Sequence, residues 1–119
     1  MTREQREKAE NMDIADWRRR IDELDLKLVG LLNERAAAAK AIGQLKRQTD
    51  MAIYEPEREK EIFQNIRRAN RGPLPDRELL QLYERIIDVM RKIQRVEIEG
   101  EAKTAVAPRI TEIEAEAEE

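Results

Sequence analysis

The chain has 119 residues, 41% of them charged and 40% hydrophobic, with one Trp, one Phe, two Tyr and a net charge of −3. That length suits one domain with tails. The mixture suits long amphipathic helices with solvated outer faces, not strands, which need β-branched and aromatic residues in alternation. The chain has no cysteine and no histidine, which excludes disulfides, thiolate nucleophiles, imidazole bases and the usual zinc sites.

No apolar run approaches the ~20 residues of a membrane span, and the polar N-terminus lacks a signal-peptide core, so a cytoplasmic protein without membrane contact is expected. Charge is unevenly spread. From Glu99 onward acids dominate, and the part before it is slightly basic. That excess is too weak for a nucleic-acid footprint.

Residues 1–12 are polar and without apolar periodicity, so they read as a frayed leader. Asp13 is suited to cap a helix whose apolar positions run Ile14, Trp17, Ile21, Leu24, Leu28, Leu31, then Ala38, Ile42 and Leu45, in steps of three and four. The helix should reach about Gln48, far longer than a typical globular helix, and a stripe of that length calls for another long helix beside it. Ala36 to Ala39 and Gly43 permit a close approach.

After a connector, Pro56 opens a second helix with Glu55 near its cap and an inward face of Ile62, Phe63 and Ile66, ending near Asn70. Asn70-Arg71-Gly72-Pro73-Leu74-Pro75-Asp76 is a break in which glycine stops one helix and Asp76 caps the next. The third helix turns Leu79, Leu82, Tyr83, Ile86, Ile87, Val89, Met90 and Ile93 inward. A helical domain over residues 13–98 is therefore expected, with an acidic, disordered tail over 99–119. The fold class is all-α, with three helices of which one is very long. They cannot close a compact core alone, and dimerisation is the simplest remedy.

Several polar residues interrupt these apolar faces. Arg35 falls in the gap of the first stripe, and Lys46, eleven residues on, returns to nearly the same side of the helix. Two cations on an inner face invite an anion, although a lone arginine often snorkels to water and a helix-end lysine often faces it. Glu55, Arg58 and Glu59 occupy the first turn of the second helix, where ordinary first-turn charges with an internal salt bridge are the plain alternative. Gln94 continues the line of Tyr83, Ile87 and Met90. Arg18, beside Trp17 in an arginine run that is otherwise a solvated face, lies 28 residues before Lys46. That is about 42 Å along one helix, too far for both to hold one small ligand, whereas antiparallel pairing of two long helices brings Arg18 of one chain near Arg35 of the other.

Taken together these residues resemble the all-helical, type II chorismate mutases. The resemblance spans about Ile14 to Arg95. It is carried by Trp17-Arg18-x-x-Ile21-Asp22-x-Leu24-Asp25, Leu31-Leu32-Asn33-Glu34-Arg35, Ile42-Gly43-x-x-Lys46, Tyr54-Glu55-Pro56-x-Arg58-Glu59 and Gln94. The connector and Arg71-Gly72-Pro73 look like the branch sometimes fused to 3-deoxy-arabino-heptulosonate 7-phosphate synthase, which leaves room for a shikimate-pathway enzyme as partner.

The resemblance implies an intertwined homodimeric helical bundle that rearranges chorismate to prephenate without a cofactor. The reaction is pericyclic and moves no proton, which suits a chain without His or Cys. By the resemblance, Arg35 and the Arg18 of the partner chain grip the two carboxylates, and Lys46 and Gln94 donate to the ether oxygen. Glu59 and Glu55 address the hydroxyl, Arg58 supports the site, and Ile42 and Ile87 form apolar wall. Glu55 stands where one branch has aspartate, and Met90 where that branch has serine. An isochorismate–pyruvate lyase of the same fold also binds a dianion around an arginine and a lysine. A non-catalytic helical dimerisation or regulatory module is the third reading.

Overall fold

The structure, a computed structural model, describes residues 2–99, so the expected acidic tail lies outside the described residues from position 100 onward. The order is α1 (Arg3–Glu10), α2 (Ile14–Thr49), α3 (Pro56–Ala69) and α4 (Asp76–Glu99), with no strand among the described residues. None of the described helices is long and apolar enough to cross a membrane. The chain divides into two units, one up to Ala37 and one from Ala38.

The helix count corrects the sequence expectation: there are four helices among the described residues, not three. The additional one, α1, lies in the polar leader. It has no apolar stripe, so periodicity is blind to it, and it is held by local polar bonds instead. Thr2 Oγ1 accepts from the Gln5 N–H at 3.2 Å while Gln5 Oε1 accepts from the Thr2 N–H at 2.9 Å, and Arg3 pairs with Glu7 one turn on.

In the first unit, α2 begins with the same reciprocal device. Asp13 Oδ1 accepts from the Asp16 N–H at 2.9 Å, and Asp16 Oδ2 accepts from the Asp13 N–H at 3.1 Å. The Asp13 backbone donor, aided by Arg19, holds the Asp16 carboxyl below its ordinary value. The apolar stripe of this unit is not covered within the chain: Ile14, Trp17, Ile21, Leu24, Leu28 and Leu31 are all exposed, Ile14 by 70% and Leu31 by 62%.

The second unit carries the core. α3 and α4 pack against each other. Asn70 Nδ2, at the end of α3, donates to Asp76 Oδ1 at the start of α4, and Glu59 early in α3 meets Arg91 late in α4, so the two helices run antiparallel. Asp76 is thus the first residue of α4 with its carboxylate turned to Asn70. At the break, Gly72 takes φ +69, in the left-handed region that favours glycine, and its N–H donates to Asn70 Oδ1. Ile62, Phe63 and Ile66 are half-buried, and Ile87 and Met90 are buried along with Ala39.

The latter half of α2 crosses α4 at Gly43. A Cβ placed there would stand 3.0 Å from Gln94 Cα and 3.1 Å from Gln94 O, closer than packed carbon normally comes. Glu97 flanks the crossing, accepting from Gln44 Nε2 at 3.3 Å and facing Lys40 at 3.8 Å. Gly43→Ala is therefore expected to cost about 1–3 kcal/mol through overpacking against backbone, read as a lowered thermal midpoint.

Candidate active site

The second unit gathers its polar side chains around Lys46. This lysine is only 4% exposed, which is expensive for an ammonium unless each of its donors is answered. Three oxygens answer it: Gln94 Oε1 at 2.9 Å, the Ile53 carbonyl at 3.3 Å and Glu55 Oε1 at 2.5 Å. Two of these contacts are hydrogen bonds and the third, to the Glu55 carboxylate, is an ion pair that compensates the buried charge.

The partners come from α4 and from the connector between α2 and α3. Gly43 lets α4 approach until Gln94 reaches Lys46. The connector supplies Ile53 O, and Pro56, which has no N–H to satisfy, starts α3 immediately after Glu55. Glu55 is the N-terminal flanking residue of α3, but its carboxylate makes no cap bond to that helix. It turns back to Lys46 instead.

The arrangement orients the Gln94 amide. Lysine has donors only, so the oxygen of the amide must face it, and the Nε2 end of Gln94 is left as a donor for something else. An incoming anion or ether oxygen that takes an N–H from Lys46 competes with the oxygens already around it. Glu55, whose side chain is 40% exposed, is the acceptor with room to swing away.

The remaining residues expected from the sequence are distributed as follows. Glu59 is half-buried and pairs with Arg91 at 3.7 Å. Ile87 and Met90 are buried at 5% and 6% exposure on α4. Arg58 is exposed and pairs with Glu61, the next turn of its own helix, and not with Glu55 or Glu59. Ile42 is exposed by 45%. Arg18 and Arg35 belong to the first unit, where Arg18 is exposed and Arg35 half-buried. Lys46, Gln94 and Glu55 are therefore brought together by direct contact.

Sequence reasoning missed Arg91. Its guanidinium lies 5.5 Å from the centroid of the Tyr54 ring and pairs with both Glu59 and Asp88. A signal was present: Arg91 lies four residues after Ile87 and three before Gln94, on the line that already carried them.

Residues 17–95 match the chorismate mutase type II family. The chain is 31% identical over 87 residues to a chorismate mutase of Methanocaldococcus jannaschii, covering 72% of this chain and 88% of that protein. It is 37% identical over 87 residues to a bifunctional chorismate mutase/prephenate dehydratase of Aquifex aeolicus, covering 70% of this chain and 24% of that one. It therefore spans about a quarter of the length of that bifunctional relative, whose fusion partner is a dehydratase where the connector pointed to the synthase branch. Among solved structures, the chorismate mutase (form II) of Thermus thermophilus superposes with a TM-score of 0.67 at 27% identity, over 69% of this chain and 93% of that one. By the extent of the family match and by its coverage of the archaeal relative, this chain belongs to the type II chorismate mutase family.

Proposed function

We propose that the protein is a homodimeric chorismate mutase of the cytoplasm that converts chorismate to prephenate on the way to phenylalanine and tyrosine. The observation that carries this reading is the buried Lys46 ammonium against the Gln94 amide, 2.9 Å apart, in a family whose name states the reaction. In the rearrangement one C–O bond breaks while one C–C bond forms, within one molecule and with no proton transferred. Catalysis then consists of holding the compact conformer and stabilising the negative charge that grows on the ether oxygen. Lys46, already desolvated, and the outward Nε2 of Gln94 are donors suited to that oxygen.

In this reading Arg35 and the Arg18 of a second copy hold the carboxylates, Glu59 and Glu55 take the hydroxyl, and Arg58 supports them. Ile42, Ile87 and Met90 shape the wall. The exposed stripe from Ile14 to Leu31 supports a second copy as its cover, because exposed apolar patches of that extent mark interaction surfaces. A shikimate-pathway enzyme is a further partner in this reading, whereas the fusion in the Aquifex relative supports linkage to a prephenate dehydratase.

The test is a pair of assays with purified protein. Loss of chorismate absorbance with formation of prephenate is expected. Pyruvate release from isochorismate with chorismate left intact would assign a lyase instead. No turnover of either, with no rise in thermal stability on adding prephenate, would leave a non-catalytic module.

A further inference from the structure

We infer that Arg91 is a positioning residue of this site: seated on the Tyr54 ring, it holds the Glu59 carboxylate in place for the substrate hydroxyl. The inference rests on the proposed mutase function and extends it to a residue outside the family motifs quoted above. Arg91 projects from α4 between Ile87 and Gln94, both of which belong to the site. Its Nε stands 3.7 Å from Glu59 Oε2, its Nη2 stands 3.4 Å from Asp88 Oδ1, and its guanidinium carbon lies 5.5 Å from the Tyr54 ring centroid.

Two observations separate this arginine from an ordinary surface ion pair. First, its Nε is buried and has no hydrogen-bond acceptor among the described residues. A buried N–H without an acceptor is costly and calls for an explanation, and an apolar residue would fill the same space without that cost. Glu59 Oε2 stands 3.7 Å from this Nε, within ion-pair range but beyond hydrogen-bond length, so a small rotation of Glu59 would complete the bond. Second, the side chains of both partners are largely covered, Arg91 at 32% exposure and Glu59 at 19%, unlike the one-turn pairs on the same helices, such as Arg85 with Asp88 at 68% and 47%.

The chemistry follows from the geometry. The guanidinium faces Oε2 of Glu59, which leaves the other carboxylate oxygen as an acceptor for a hydroxyl. The Tyr54 ring supports the guanidinium from the connector, between Ile53 and Glu55, which both hold Lys46. The planar fork of Arg91 therefore ties the hydroxyl end of the site to the same connector that sets the ammonium.

The experiment is a kinetic cycle on the full chain, using Arg91→Met, Arg91→Lys, Glu59→Gln and the Arg91→Met/Glu59→Gln double variant, each first checked for helical content by circular dichroism. For Arg91→Met we expect kcat to fall about tenfold with KM changed less than about threefold, and for Arg91→Lys a loss of about threefold. In the Glu59→Gln background, Arg91→Met should cost less than about twofold more, because its partner is already gone. Should Arg91→Met fail to fold, Tyr54→Leu replaces it, with an expected loss of about threefold that also vanishes in the Glu59→Gln background. Unchanged kcat in Arg91→Met, or equal losses in both backgrounds, overturns the positioning role alone. Absence of chorismate turnover by the unsubstituted chain overturns the mutase reading and the positioning role with it.

Discussion

Lys46→Ala is expected to lower kcat on chorismate by about 10²–10³-fold, the loss typical of removing one preorganised donor from a developing oxyanion. The size follows from burial. An exposed lysine would be replaced in part by water, whereas Lys46 is 4% exposed and its position is set by three oxygens from the connector and α4. The same substitution strands those oxygens, so a thermal midpoint lowered by about 1–3 kcal/mol of stability should accompany the kinetic loss. Circular dichroism separates the two effects: helical content should be retained at the assay temperature while turnover is lost. Normal turnover by Lys46→Ala would end the assignment of this lysine to the reaction.

Mixing two inactive variants should restore about one quarter of the original activity. In an intertwined dimer with Arg18 supplied by the partner, Arg18→Ala and Lys46→Ala each spoil both sites of their own homodimers. A mixed dimer concentrates both lesions in one site and leaves the other whole. Random reassortment at equal amounts makes half of the dimers mixed, each with one working site of two, hence the expected quarter. Each variant alone should lose on the order of 10²-fold or more. No recovery after reassortment, with mixed dimers demonstrated by mass spectrometry, would place Arg18 outside the partner's site. The exposed stripe Ile14, Trp17, Ile21, Leu24, Leu28 and Leu31 is the surface on which this expectation stands.

The long apolar stripe, the proline at the head of α3 and the Asn70–Asp76 break were all legible, because each is written in a local pattern that packing does not override. The observed bounds Ile14–Thr49, Pro56–Ala69 and Asp76–Glu99 lie within a residue or so of those expected. α1 was not legible, since its stabilising contacts are polar and local and leave no apolar period to read. At the site, continuity of faces and family resemblance pointed to Lys46 and Gln94. They did not reveal that Glu55 binds Lys46, because a carboxylate beside a helix N-terminus has a sufficient local explanation in the helix dipole. Only the three-dimensional return of the connector to α2 shows otherwise. Arg58 illustrates the converse: its motif position suggested a role in the site, and within the chain it pairs along its own helix with Glu61.

The oxygens gathered around Lys46 bear on where binding selectivity originates. A ligand that enters this site competes at the ammonium with two hydrogen-bonded oxygens and one ion-paired carboxylate. With the ammonium buried and its partners in place, the discriminating quantity is how well the newcomer's charge distribution matches a cation whose location was settled during folding. A resting-state analogue with a neutral ether oxygen competes poorly with Glu55 for that position, and one bearing developing negative charge competes well. In the proposed rearrangement Lys46 would thereby favour the species along the reaction coordinate over the one at its start, with the carboxylate of Glu55 as the internal standard against which both are compared.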